Sequence, residues 1–286
     1  MRALRRFTRS CLHLLKMSAR AGWADWMNLV SRRAVVDDRA TVVVSLTTHS
    51  VRISRVHRTI ESIGRGRVRP QRLILWLGLG ERERPLPQPL QRLRARGLEV
   101  RYAEDCGPHT KYFPYVCSEP KHLVAMVTAD DDTWYPRFWL DRLCRAYTAQ
   151  PELVHCYRAR RIQLKDSGLA PYATWPFVVS NQPGPTVFAT GVCGVIYPPA
   201  LLDTLRDAGT AFQSCCPKAD DLWLHVTALR SGFVARQLDA KAAEFDTMPS
   251  TQSIALWHQN LILSGNDPQA AATYTQADVA RLRVVA

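Results

Sequence analysis

Four short, almost uninterrupted apolar runs mark the first half of the chain: Ala40–Leu46 (ATVVVSL), Arg72–Leu77 (RLILWL), Leu98–Tyr102 and His122–Ala129 (HLVAMVTA). Runs of this length, rich in Val, Ile and Leu, are the pattern of strands buried on both faces, as in a parallel sheet. Between them the period becomes helical. Val56, Ile60 and Ile63 line one face of Ser54–Ile63, which Gly64 and Gly66 terminate. After the proline-rich connector Arg84–Pro89, a short helix is expected over Leu90–Arg96. A further helix is expected over Pro136–Tyr147, with proline in its first turn. Another opens at Asp220-Asp221, its apolar face running through Leu222, Val226 and Leu229 to a stop at Ser231-Gly232. This alternation predicts a single α/β domain built on a doubly wound, mostly parallel sheet flanked by helices. Ligands of such sheets bind beyond the carboxyl ends of the strands, so the polar residues that follow each apolar run are the first candidates for chemistry.

Residues 1–39 stand apart from this pattern. Leu4, Phe7, Cys11 and Leu14 fall at helical spacing, Arg2, Arg5, Arg6, Arg9, Lys16 and Arg20 occupy mostly other faces, and Trp23 and Trp26 follow. Such a basic amphipathic helix either lies on an anionic membrane surface or packs on its own domain. His13 and Lys16 interrupt the apolar stretch and no small-residue cleavage site follows, which argues against a secretory signal. No apolar run approaches the roughly 20 residues of a membrane span. The expected organisation is thus a basic segment (1–39), the α/β domain (40–270) and a C-terminal tail (271–286).

Charge sharpens the picture. The formal net charge is +13, divided as +6 in residues 1–39, +9 in residues 40–101 and −2 in the remainder. A basic balance suits nucleic acid, anionic lipid or a phosphorylated ligand. Nucleic-acid binding calls for basic residues interleaved with exposed aromatics, or a recognisable reading motif; neither is present, and no nucleic-acid partner is expected. The eight cysteines form no C-x-x-C pair and, without a secretion signal, read as reduced thiols of a cytoplasmic protein, peripheral on the inner face of a membrane if the first helix binds lipid.

The densest chemistry follows the fourth apolar run, where Asp130-Asp131-Asp132 precedes Thr133-Trp134-Tyr135-Pro136. Three adjacent carboxylates repel one another. Alternate residues Asp130 and Asp132 point the same way in an extended chain, so both approach one hard divalent ion, Mg²⁺ or Mn²⁺. A solvated acidic turn is the plainer alternative. Here the sequence resembles nucleotide-sugar-dependent glycosyltransferases of the GT-A fold, most nearly the bacterial family-two type that builds surface polysaccharide. The resemblance spans roughly residues 40–267 and carries four further segments in order: Ser45-Leu46-Thr47-Thr48, the loop Asp105–Lys111 (DCGPHTK), Thr190–Val195 (TGVCGV) and Lys218–Trp223 (KADDLW).

It implies that Thr47 and Thr48 hold the nucleotide, that Lys111 and Arg52 meet the diphosphate, and that Asp131 binds ribose or sugar hydroxyls. Asp105 either accepts a hydrogen bond from base or ribose or caps the loop that follows it. Gly191 belongs to an acceptor-side strand of small residues, and His258 is a third metal ligand beside Asp130 and Asp132. An inverting transfer needs a carboxylate to deprotonate the acceptor; Asp221 is the candidate base, with Asp220 the helix cap or, alternatively, both residues caps. Trp134, Trp175 and Trp223 either stack on sugars or pack in the core, and Asn266-Asp267 looks like a turn. Gly78-Leu79-Gly80 departs from the family by lacking the acidic residue many relatives use for the base, so a UDP-sugar is the family default only. The expected function is metal-dependent transfer of a sugar from a nucleotide-sugar to a glycan or lipid-linked acceptor. The competing expectations are a metal-dependent phosphohydrolase and a non-enzymatic nucleic-acid-binding protein.

Overall fold

The computed structural model describes residues 2–166, 168–248 and 265–283, with side chains from residue 13 onward. Its strands are β1 (Val42–Thr47), β2 (Arg72–Gly78), β3 (Leu98–Ala103), β4 (Ala125–Ala129), β5 (Val154–Cys156), β6 (Ala159–Arg161), β7 (Leu164–Lys165), β8 (Gly168–Leu169), β9 (Val187–Ala189), β10 (Val195–Tyr197) and β11 (Ala235–Gln237). The helices are α1 (Arg2–Val30), α2 (His57–Gly64), α3 (Gln88–Arg94), α4 (Phe113–Ser118), α5 (Trp139–Ala149), α6 (Pro199–Asp207), α7 (Phe212–Cys215), α8 (Asp220–Arg230), α9 (Asn266–Thr273) and α10 (Gln276–Arg283).

Seven strands form one sheet in the order β11-β5-β10-β4-β1-β2-β3. Only β10 runs antiparallel to its neighbours β4 and β5; the other pairings are parallel. The expected mostly parallel α/β sheet is therefore present. Its strands read as continuous apolar runs because both faces are covered. Val43, Ile74 and Met126 point to a core shared with α4, α6 and α8. Their neighbours Val44, Leu73, Leu75 and Val127 point to a second core under α2, α3 and α5. From β1 the chain builds outward to β2 and β3 on one side and to β4 on the other. That reversal opens a crevice at the carboxyl ends of β1 and β4, where ligands of open α/β sheets bind.

Several elements differ from expectation. Thr190–Val195 is not a strand: Thr190–Gly194 forms a turn between β9 and β10, closed by a Gly194 N–H to Gly191 carbonyl bond of 3.0 Å, with Gly194 at φ 98°. Pro136 lies three residues before α5 and offers its carbonyl to Trp139 N–H (3.0 Å). Asn266-Asp267 opens α9 rather than forming a turn, and Asp267 accepts the Tyr172 N–H at 2.7 Å. Residues 276–283 of the expected tail form α10, which buries Val279 and Leu282 and pairs Asp278 with Arg230 of α8.

Helix α1 packs one side on its own domain and leaves apolar residues exposed on the other. Met17, Ala21, Ala24 and Asn28 are buried on one side. Trp23 meets Trp134 edge-on at 5.8 Å, and Asp25 accepts two bonds from Arg58. Trp23 is thus a packing residue. The other side exposes Leu14, Leu15, Trp26, Leu29 and Val30. None of the described helices is long and apolar enough to cross a membrane.

Candidate active site

The turn after β4 is pinned from three directions. Asp130 N–H donates to the Tyr135 hydroxyl (2.8 Å), Thr59 Oγ1 of α2 donates to the Asp131 carbonyl (2.9 Å), and Met248 N–H donates to the Asp132 carbonyl (2.6 Å). Because Asp131-Asp132 is a turn rather than the extended chain expected, the carboxylates divide two and one: Asp131 and Asp132 share Arg52, and Asp130 meets Lys111. Asp131 turns toward the loop after β1, where Thr48 Oγ1 donates to it at 2.5 Å and Arg52 Nη1 at 2.8 Å. The same Arg52 nitrogen lies 3.5 Å from Asp132. Asp130 turns the other way, 3.2 Å from Lys111 Nζ.

Lys111 is the hub. Its carbonyl accepts Ser45 Oγ of β1 (2.7 Å), and Ser45 Oγ in turn accepts the Trp76 indole N–H of β2 (3.0 Å). Its ammonium reaches Asp220 at the start of α8 (3.3 Å) as well as Asp130. His109, two residues earlier, bonds the Cys216 carbonyl (2.8 Å) and stacks on Phe212 at 4.0 Å, which fixes the α7–α8 connection against this loop. Asp221 Oδ1 accepts the Gly191 N–H at 2.9 Å. A Cβ at position 191 would stand 3.1 Å from that oxygen and 3.4 Å from Lys111 Nζ, so glycine allows the backbone to come this close. Side chains and backbone from β4, the Asp105–Lys111 loop, the β9–β10 turn and α8 therefore meet at one point.

Electrostatics follow from this crowding. Burial, reinforced by Asp130 and Asp131, pushes the Asp132 carboxyl up to about 7 against the pull of Arg52. Burial and the adjacent Asp220 push Asp221 up to about 8, although Lys111 and the Gly191 N–H favour its charge. Burial also raises Asp130, with Lys111 opposing. Lys111 itself is buried, yet Asp220, Asp130 and Asp221 hold its ammonium well above the ordinary lysine value. Asp130, Asp131, Asp132, Asp220 and Asp221 here crowd around Lys111 and Arg52, an excess of acid over base.

The predicted residues sort accordingly. Thr48, Arg52, Lys111, Asp130, Asp131, Asp132, Gly191, Asp220 and Asp221 come together. Thr47 lies beside them, its hydroxyl donating to the Trp76 carbonyl of β2 at 3.2 Å. Asp105 is exposed and accepts the Gly107 N–H at 2.9 Å, so it caps the loop that follows. Asp220 is not the helix cap. Ala219 takes that position without a side-chain bond, and the Asp220 carboxylate turns to Lys111 instead. Trp134, Trp175 and Trp223 are core residues with 4%, 1% and 6% exposure, which leaves no open ring face for a sugar. His258 lies outside the described residues. Tyr135 and His109, which hold the acidic turn and the Lys111 loop, were not singled out; the only sequence signal was their nearness to these motifs.

No group of three or more His, Cys, Asp or Glu side chains stands in metal-holding geometry among the described residues. Asp130 and Asp132 still fit a divalent ion. Both are carboxylates at a strand's carboxyl end, both are destabilised as anions, and their hard oxygens match Mg²⁺ or Mn²⁺ when phosphate oxygens complete the shell.

No protein-family pattern matches the chain, and no curated protein matches it in sequence. Among solved structures it is similar to a mannosyltransferase from Pyrobaculum calidifontis in complex with GDP-Man and Mn²⁺, at 14% identity and a TM-score of 0.45, over 81% of this chain. It spans 64% of that protein, less than two thirds of its length. An inositol-1-phosphate CTP transferase from T. maritima gives 11% identity and 0.44 over 80% of this chain and 97% of the other. A CMP:2-keto-3-deoxy-manno-octonic acid synthetase complexed with CTP gives 10% and 0.45 over 80% and 99%.

Proposed function

We propose that the chain is a metal-dependent glycosyltransferase of GT-A type that moves a sugar from a nucleotide-sugar, a UDP-sugar on the family resemblance, to a glycan or lipid-linked acceptor. The observation that carries this reading is the convergence at the β1–β4 crevice of Asp130 and Asp132, Lys111, and the Asp220-Asp221 pair of α8. These segments are far apart in sequence, and one reaction needs all of them.

Expulsion of a nucleoside diphosphate from an anomeric carbon places charge on the leaving phosphate. When bound by Asp130 and Asp132, a divalent ion supplies a Lewis acid beside those phosphate oxygens. Lys111 adds a cation on the same side; the Ser45–Trp76 relay anchors its backbone carbonyl, and Asp130 and Asp220 hold its ammonium. Thr48 and Arg52 hold Asp131 and so set the loop after β1, against which the nucleotide lies. Asp221 faces the acceptor and takes the hydroxyl proton as the acceptor oxygen bonds to the anomeric carbon. The bond to the diphosphate breaks and its electron pair leaves with the phosphate, so the anomeric configuration inverts. The Gly191 N–H orients Asp221, while Asp220 crowds it into a more basic carboxylate.

The exposed side of α1 supports a second part of the reading, peripheral attachment to the anionic inner face of a membrane. Leu14, Leu15, Trp26, Leu29 and Val30 form a stripe distinct from the buried side of the helix, and the exposed Arg32 and Arg33 follow it.

The test incubates the full chain and Mn²⁺ with a panel of nucleotide-sugars, reading nucleoside diphosphate, and in parallel with nucleoside triphosphates and a sugar 1-phosphate, reading pyrophosphate. Nucleoside diphosphate release that Asp132→Asn abolishes is the expected result. Pyrophosphate release, or phosphate release without any acceptor, would replace the reading with nucleotidyl transfer or phosphohydrolysis.

A further inference from the structure

Strand β6 leaves the active site carrying two arginines whose charges the proposed chemistry does not use. Arg158 directly precedes it and Arg160 lies within it, so the alternating pleat places both on one face. Phe177 lies directly opposite Arg160 in an antiparallel bridge, and Arg161 N–H to the Pro176 carbonyl (2.8 Å) and Val178 N–H to the Ala159 carbonyl (2.9 Å) fix the pairing. The two guanidinium carbons stand 4.5 Å and 4.8 Å from the centre of the Phe177 ring. The ring is 39% exposed, so the pair is presented at the surface. Arg160 spends one nitrogen on the Trp175 carbonyl (2.6 Å), and Nε of Arg158 is buried without a hydrogen bond. Among the described residues no carboxylate lies within ion-pair distance of either.

The pair is attached to the acceptor side of the site. The Arg158 carbonyl accepts both the N–H (3.0 Å) and the hydroxyl (3.3 Å) of Thr190, at the head of the turn whose Gly191 holds Asp221. The Tyr172 phenol feels Asp221 together with Arg160 and Arg158, which sets all of them within electrostatic reach of one ring. Val192 on the same turn and Val179, two residues after Phe177, are exposed.

We propose that Arg158 and Arg160, braced by Phe177, form a subsite for a phosphate group carried by the acceptor. The inference rests on the transferase reading above. Two planar guanidinium forks gathered around one aromatic ring suit the several oxygens of a phosphate better than a neutral hydroxyl, and the ring holds them without neutralising them. The phosphate belongs either to a lipid-linked diphosphate or to a phosphorylated sugar, and the two are separated by experiment.

Geranyl diphosphate and glucose 6-phosphate serve as probes of the two sources, with geraniol and glucose as neutral controls, each titrated into the full chain by calorimetry. One phosphorylated probe is expected to bind, and the double variant Arg158→Gln/Arg160→Gln weakens it by about tenfold or more. Uridine diphosphate with Mn²⁺, titrated in parallel, binds both proteins equally. Arg158→Gln and Arg160→Gln are measured singly as well, so that one unstable variant does not decide the outcome. Equal affinity of wild type and variants for the phosphorylated probes, or no binding of either probe, overturns the subsite. Failure of uridine diphosphate to bind either protein counts against the transferase reading and leaves the comparison at the arginine pair intact.

Discussion

The sharpest consequences lie at single carboxylates. In the proposed mechanism Asp221 must be ionised to take a proton, and burial beside Asp220 pushes its carboxyl up to about 8 rather than near 4. Transfer activity as kcat/KM therefore rises with pH on a limb near 8. Asp221→Asn removes the limb and lowers turnover by about a hundredfold or more, with an unchanged circular dichroism spectrum. An unaltered pH profile in that variant would remove Asp221 from the proposed mechanism. Lys111 carries the converse prediction. Its 13% exposed ammonium stands between Asp130 and Asp220, so Lys111→Met leaves like charges crowded together and costs about 3 kcal/mol at pH 8. Asp132 and Asp221 have folded values of about 7 and about 8, above the ordinary carboxyl range. The native state thus binds more protons than the unfolded chain between roughly pH 4 and 8, and these groups reduce stability as pH rises through that window. At pH 5 Asp221, one of the carboxylates whose charge acts on Lys111, is protonated in the native protein, so urea denaturation should find the Lys111→Met penalty smaller there than at pH 8.

At the scale of elements, legibility followed burial. The strands β1, β2 and β4 were visible because both their faces are covered, which makes apolar runs such as VVVSL and AMVTA continuous. Helix α8 was visible from Leu222, Val226 and Leu229. The Thr190–Gly194 turn was mistaken for a strand because small residues mark a close backbone approach as readily as a buried extended segment. Its meaning came from a contact thirty residues away, Gly191 to Asp221, which no local pattern encodes. Asp220 was misassigned for the same reason: an acid at a helix start suggests a cap, yet Lys111 from a different element claims it. Arg158 and Arg160 were hidden among thirty-two arginines until Phe177 was placed across the ribbon. Helix α1 shows how one amphipathic pattern conceals two faces. Trp23→Ala should cost about 2 kcal/mol in chemical denaturation, because it vacates the contact with Trp134 beside the acidic turn. Trp26→Ala should stay within about 0.5 kcal/mol of wild type, since that ring lies on the exposed side. Equal costs for the two tryptophans would contradict the packing of α1.

Over the whole molecule, the +13 charge is partly consumed by the fold. Arg58 pairs with Asp25 and Arg69 with Asp37, joining α1 and its following segment to the domain, while Arg72 pairs with Glu99 and Glu119 and Arg96 with Glu61 within it. Basic residues of the first hundred are in this sense structural, and a global count overstates the charge left for a partner. Around the exposed stripe of α1, by contrast, Arg32 and Arg33 are open to solvent beside Leu29 and Val30. The proposed attachment to an anionic surface then has two components that separate by salt. Raising ionic strength from about 0.1 M to about 1 M shortens the screening length from roughly 10 Å to 3 Å and removes the electrostatic part. The apolar part persists. Flotation with phosphatidylserine-containing vesicles should therefore show binding of the full chain that weakens with salt without vanishing. Leu14→Ser/Trp26→Ser/Leu29→Ser should abolish the salt-resistant remainder while leaving the thermal midpoint unchanged, because all three side chains point away from the packed face. Binding of that variant equal to wild type at high salt would show that the stripe does not enter the bilayer, and the membrane part of the proposed function would fall while the active-site chemistry stood.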